Sequence, residues 1–258
     1  MRINLALVLL LFHFQLTYAQ YNRELIITSQ YIHFPITESG ELSEVNLTIG
    51  GNIFRNFELN LSDEPDFWVY LDVSAYKGKR LTIISDNKKT KDLLLDIYQS
   101  DKISYFDDLY KEKHRPQLHF SSKRGWLNDP NGLVYYEGEY HLFYQHNPYG
   151  WEWGNMHWGH AVSKDLIHWV QLPIALYPDE NGVCFSGGTL IDKNNSSGFG
   201  KNAMIALYTS VAKEQTQSLA YSLDNGRSWS RYSENPVIPG RNEQAGSPEV
   251  RDPNVFWH

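Results

Sequence analysis

The sequence predicts an all-β protein, a small β-sandwich-like unit followed by the first two to three blades of a β-propeller. Three observations predict it. Short runs of β-branched and aromatic residues, punctuated by Gly, Asn, Asp and Ser, fill the first part of the chain. From about residue 115 the chain repeats itself: Asp129-Pro130-Asn131 returns as Asp252-Pro253-Asn254. Within each repeat, about four strand-like runs are separated by turn residues, the pattern of a propeller blade.

The first 19 residues read as an export signal. Arg2 supplies a positive charge, and Leu5–Phe12 is an apolar run too short to span a bilayer. Thr17-Tyr18-Ala19 ends on the small residue that a signal peptidase needs, so cleavage is expected after Ala19. The mature chain would then be exported to the periplasm, the cell surface or the medium. No later stretch is apolar enough to span a membrane.

Residues 20–112 form the expected accessory unit. Leu25–Ile27, Val45–Ile49, Phe67–Val73 and Arg80–Ile84 are its clearest strands. A sandwich is the economical way to bury one face of each. The charged stretch Lys88–Lys113, with Pro116 after it, reads as a linker with a short helix, which sets a boundary near 112. Trp68 and Tyr70 could meet a sugar, but packing is the simpler role.

Residues 113–258 carry the repeat. Gly132–Tyr136 and Glu139–Gln145 flank Glu137-Gly138, a hairpin signal, and His157–Val162 and Trp169–Leu172 complete the first blade. Ala161-Val162-Ser163-Lys164-Asp165, leading to Trp169, matches Ala220-Tyr221-Ser222-Leu223-Asp224, leading to Trp229. The unit is therefore about 60 residues long. Two blades and the opening strand of a third fit. Open propellers expose strand edges, so further blades are expected downstream of His258.

Composition narrows the function. A formal net charge of −7 with no Lys/Arg run argues against nucleic acid or an anionic membrane as partner. A single cysteine, Cys184, allows no internal disulfide and no cysteine zinc site. No His-Glu-x-x-His spacing or phosphate loop occurs, so no metal and no cofactor are expected. Oligomeric state is not legible.

In a propeller the innermost strands line one axis, so equivalent early positions of successive blades converge. Here these are Asn128-Asp129, Phe185-Ser186 and Arg251-Asp252. Two carboxylates and a guanidinium around one cavity suit glycoside chemistry. A carboxylate can attack or stabilise an anomeric carbon, while Arg and Asp grip hydroxyls. Asp-Pro-Asn is also a turn former, and each copy alone is compatible with that role.

The longer motifs decide between these readings. Arg115-Pro116-Gln117-Leu118-His119-Phe120 leads into Gly125-Trp126-Leu127-Asn128-Asp129-Pro130-Asn131-Gly132. Tyr140–Pro148, Trp153–Ala161, Phe185-Ser186-Gly187 and Arg251-Asp252-Pro253 follow in order. This series resembles glycoside hydrolase family 32, the invertases, inulinases and levanases, over about 115–258. The resemblance implies a five-bladed propeller and a retaining double displacement on a terminal β-D-fructofuranosyl unit of levan, inulin or sucrose. It implies Asp129 as nucleophile and Asp252 as transition-state stabiliser, with Arg251 beside it. It places Trp126, Leu127, Asn128, Gln145, Trp153, Phe185 and Ser186 around the terminal fructose.

Two departures stand out. The family's general acid/base is a Glu in a Glu-Cys pair downstream of Arg-Asp-Pro, and this chain has no Glu-Cys. The 258 residues alone are therefore expected to be hydrolytically inactive. Gly188 stands where many relatives carry Ser, one hydroxyl fewer near the sugar. The alternatives are a non-catalytic fructan-binding protein and a sialidase-like propeller. The second rests on Ser222-Leu223-Asp224-Asn225-Gly226-Arg227-Ser228-Trp229, a hairpin lock rather than chemistry, and lacks the needed Arg cluster. Linkage preference is not encoded in residues that meet only the terminal fructose.

Overall fold

The computed structural model describes residues 21–257, apart from 86, 88, 89, 241–246 and 248. The expected export signal lies outside the described residues. The rest is all-β as predicted, with four sheets, one short α-helix and two single-turn 3-10 helices among the described residues.

Seven strands and the α-helix build the first unit: β1 (Tyr21–Ile26), β2 (Tyr31–Ile36), β3 (Ser43–Ile49), β4 (Asn52–Leu59), β5 (Phe67–Asp72), β6 (Arg80–Ser85), α1 (Thr90–Leu93) and β7 (Tyr98–Ser100). Strands β1-β6-β3-β4 form one antiparallel sheet and β5-β2-β7 the other. Alternation sets which side chains point inward. Val45 and Leu47 on β3, Leu81 and Ile83 on β6, Val69 and Leu71 on β5, and Ile32 and Phe34 on β2 are all buried in one core. Each full burial contributes roughly 1.5–3 kcal/mol before entropy is counted.

Three strands escaped the sequence reading, each for a physical reason. β2 contains Pro35, which normally marks an edge. It is nevertheless the middle strand, because β7 pairs only with Tyr31, Ile32 and His33, and beyond its end Pro35 uses only its carbonyl on that side, accepting from Ser62 N–H at 3.2 Å. β4 is an edge strand with mixed polarity, shifted by a bulge where Leu47 pairs Arg55 and Thr48 pairs Ile53. β7 lies in the charged stretch expected to be linker. Leu94 and Ile97 just before it are buried in the sandwich core, so that stretch belongs partly to the unit it was expected to leave. Trp68 packs edge-on against Tyr98 at 4.9 Å, and Tyr70 packs edge-on against Tyr31 at 5.3 Å.

Two four-stranded blades of a β-propeller follow. The first is β8 (Trp126–Tyr136), β9 (Glu139–Asn147), β10 (His157–Ser163) and β11 (Trp169–Gln171). The second is β12 (Val183–Asp192), β13 (Ala203–Val211), β14 (Gln215–Ser222) and β15 (Ser230–Arg231). Each is a meander in strand order. The repeated Ser/Asp motif does the same work in both. Ser163 Oγ donates to Asp165 Oδ1 at 3.1 Å, and Ser222 Oγ donates to Asp224 Oδ1 at 2.7 Å. Trp169 Nε1 and Trp229 Nε1 each donate to a backbone carbonyl three residues earlier. Both copies lock the hairpin between the third and fourth strands, as the sequence suggested.

The blades share a core of Phe143, Trp158, Cys184, Met204 and Tyr208. The inner strands β8 and β12 lie against each other. Gly132, at φ +56, makes this possible, since a Cβ there would come within 2.6 Å of Thr189 Oγ1 and 2.9 Å of the Trp158 ring. Residues 251–257 form no strand among the described residues, which departs from the expected third blade opening. The segment still runs beside β12: a Cβ on Gly188 would sit 3.1 Å from Val255 N, and Trp257 Nε1 donates to Ile191 O at 2.9 Å. Without a second strand to pair with, it has no ladder.

Candidate active site

Each inner strand is broken at its start by the same bulge. On β8, Leu127 pairs with His146 and Pro130 with Tyr144, so Asn128 and Asp129 together face Gln145. On β12, Cys184 pairs with Ser210 and Gly187 with Tyr208, so Phe185 and Ser186 together face Thr209. Two residues opposing one is a β-bulge, which bends a strand and re-aims its side chains. The bulges fall on the pairs that the repeat had singled out. The freed Phe185 carbonyl is used: Trp158 Nε1 of the first blade donates to it at 2.9 Å.

The third pair, Arg251-Asp252, is brought to the same level by side chains. Asp252 sits in the left-handed region at φ +58, which a non-glycine residue enters at a cost. Its N–H donates to Thr209 Oγ1 at 3.0 Å, and Thr209 Oγ1 donates to Gln217 Oε1 at 2.8 Å. Gln217 Nε2 donates in turn to Val250 O at 2.6 Å. Thr209 and Gln217 are buried, so this bracket is shielded from water. Gln215 Oε1 accepts from Val250 N–H at 2.8 Å on the exposed side.

Arg251 divides its charge between two carboxylates. Its Nε donates to Glu249 Oε2 at 2.9 Å, and its Nη1 lies 3.6 Å from Asp252 Oδ2. The sequence reading had paired Arg251 with Asp252 alone, and Glu249 is the closer partner. The Gln215 amide, together with the Arg251 guanidinium, holds the Glu249 carboxyl below its ordinary range.

Asp129 and Asp252 are exposed, whereas Trp126, Leu127, Asn128, Phe185 and Ser186 are half-buried around the bulges. Leu127 is held in the β8–β9 ladder opposite His146. Burial lowers His146 to about 4, so its ring is neutral at pH 7, and its Nδ1 donates to Trp126 O at 2.9 Å. Gln145 is buried, yet its Nε2 has no hydrogen-bond partner among the described residues. An unused buried donor is costly, and beside the bulge it makes Gln145 a candidate hydrogen-bonding residue. Trp153 is 62 % exposed and meets Phe185 edge-on at 6.0 Å, giving an apolar rim.

A model of the glycosyl hydrolases family 32 N-terminal domain matches residues 119–258, more than half of the chain. The chain belongs to glycosyl hydrolase family 32. A levanase of Bacillus subtilis is 58 % identical over 153 residues, covering 58 % of this chain and 22 % of the levanase. An extracellular exo-inulinase of Aspergillus niger is 47 % identical over 174 residues, covering 58 % of this chain and 32 % of that enzyme. Among solved structures, the exo-inulinase of Aspergillus awamori superposes with a TM-score of 0.54 at 46 % identity, covering 58 % of this chain and 34 % of that one. A β-fructofuranosidase of Schwanniomyces occidentalis complexed with fructosyl-erythritol gives 0.51 at 42 %, covering 56 % and 29 %. The chain thus spans about a fifth to a third of the length of these relatives.

Thr209, Gln217 and Glu249 were not singled out by sequence reasoning. One signal was available. Tyr144-Gln145 on β9 and Tyr208-Thr209 on β13 occupy equivalent places opposite the two bulges, each introduced by a Tyr. Gly188 faces Pro253 and Val255 rather than open space.

Proposed function

We propose that the protein is an exported family 32 glycosidase that removes terminal β-D-fructofuranosyl units by a retaining double displacement. The observation that carries it is the pair of bulges that present Asn128-Asp129 and Phe185-Ser186 on adjacent inner strands, within the region that the family 32 N-terminal domain covers. The Asp129 carboxylate attacks the anomeric carbon of the terminal fructose, and the glycosidic C–O bond breaks. Water then attacks the fructosyl ester and restores the carboxylate, with net retention. Asp252 and Arg251 hold fructose hydroxyls and stabilise the positive charge of the transition state. Asn128, Gln145 and Ser186 supply hydrogen bonds, and Trp126, Leu127, Trp153 and Phe185 the apolar walls.

The leaving oxygen needs a proton from a second carboxyl about 5–5.5 Å from the first. We assign it to a residue outside these 258, in the remainder of a five-bladed propeller. Levan, inulin and sucrose share the terminal fructose and are the candidate substrates. Extracellular relatives and the apolar run at Leu5–Phe12 support export with cleavage after Ala19, with residues 20–112 as an accessory unit and 113–258 as the catalytic part. No helix of the described residues is long and apolar enough to cross a membrane.

The test is fructose release from sucrose, inulin and levan by the complete enzyme, beside its Asp129→Asn variant. Release with retained anomeric configuration, reduced on the order of 10⁴-fold in the variant, is the expected result. Tight fructan binding without any release would instead make the protein a binding module.

A further inference from the structure

A cleft of about 1080 Å³ runs between the sandwich and the two blades, and Trp153 stands on its wall. The sandwich side is β3 and β4, with Glu44, Asn46, Ile53 and Asn56; the blade side includes Tyr177 and Asp179. Its width is fixed by contacts that do not depend on a ligand. Asn155 Nδ2 donates to Glu58 O and Asn155 Oδ1 accepts from Glu58 N–H, both at 2.9 Å, tying the edge strand β4 to the first blade. Tyr149 packs on Phe57 at 4.4 Å between ring centroids, and the Arg55 guanidinium lies 3.6 Å from the centre of the Tyr177 ring.

The lining mixes exposed apolar side chains with amides and with the carboxylates of Glu44, Glu58, Asp179 and Glu180, acceptors for sugar hydroxyls. Ile53 and Trp153 are large apolar side chains left 61 % and 62 % exposed on the two walls, where the C–H faces of a sugar ring could lie. On the sandwich wall the polar groups are already ordered: Asn56 Nδ2 donates to Glu44 Oε1 at 2.6 Å and to Asn46 Oδ1 at 2.8 Å. Apolar walls with a few fixed polar groups are the usual make-up of a ligand cleft. Trp153 also meets Phe185 of the β12 bulge, so one side chain of the cleft wall touches the candidate active site.

We propose that this cleft binds the part of a fructan chain beyond the terminal fructose, with the sandwich as one wall of the substrate path. The proposal rests on the β-fructosidase reading above. It gives residues 20–112 a role in selecting chain length.

The experiment compares the complete enzyme with Ile53→Ser and Asn56→Ala, both exposed positions, on sucrose and on a long levan or inulin. The expected result is an unchanged kcat/KM for sucrose and a KM for the polysaccharide raised about tenfold, with kcat kept, at an unchanged melting temperature. Direct binding of the polysaccharide should weaken in parallel. Full activity and binding of both variants on the polysaccharide would overturn the cleft while leaving the β-fructosidase reading standing. If the unaltered enzyme neither binds nor cleaves any of these sugars, both readings fall.

Discussion

At the scale of single residues, the candidate site is held together by groups that lie behind it. Asp252 is the clearest case, a non-glycine residue at φ +58 whose backbone N–H is held by Thr209 Oγ1. Thr209→Val keeps the shape and removes the acceptor. It should lower kcat/KM for sucrose about tenfold, equivalent to ~1.4 kcal/mol of transition-state stabilisation. Thr209→Ser, which keeps the hydroxyl, should restore most of it. Equal activity of the valine and serine variants would remove Thr209 from the machinery. Asp129, Asp252 and Gln145 were visible in the sequence because each sits in a long ordered motif. Thr209 and Gln217 were not, because a buried Thr and Gln in alternating strands look like ordinary sheet residues until the 252 backbone is laid beside them. The same holds for Glu249, which no motif marks and which takes the nearer half of Arg251.

At the scale of elements, the blades were legible because hairpin signals and the Ser/Asp lock recur at a fixed spacing, and both locks form as hydrogen-bonded turns. The bulges were not, since register depends on the partner strand and not on the strand's own sequence. The sandwich was half legible. Strands with clean alternation were found, while β2, β4 and β7 were hidden by a proline, an edge and a run of charge. The seam between blades makes a demand of its own. Gly132→Ala adds a methyl group where Thr189, Trp158 and Phe143 leave no room, at a backbone angle that disfavours alanine. Gly138→Ala has a similar positive φ of +85 but open space around it. Thermal unfolding should show the Gly132 variant less stable than the Gly138 variant by roughly 1–3 kcal/mol, the usual cost of overpacking. Equal losses would mean that backbone strain alone acts at both sites and that the seam is loosely packed.

At the scale of the whole molecule, propeller and sandwich are joined by interdigitation rather than by a bare tether. Tyr149 is buried in the core of the sandwich, and Trp151 packs against the same core, edge-on to Phe67 at 5.7 Å. Both come from the loop between β9 and β10, which also carries Trp153 and Asn155. One blade loop therefore anchors the accessory unit, sets the cleft width and offers the apolar rim of the site. The family resemblance reached the candidate carboxylates Asp129 and Asp252 but said nothing of this junction, because the matched region begins at 119 and half of the junction lies before it. The measurement that bears most directly on the central claim is a crystal structure of the complete enzyme carrying Asp129→Asn, soaked with a short fructan. The terminal fructose is expected between the bulges of β8 and β12, with its hydroxyls on Asn128, Gln145 and Asp252 and a ring face on Trp153. A fructan bound elsewhere, with the Gln145 amide still unpartnered, would contradict the assignment.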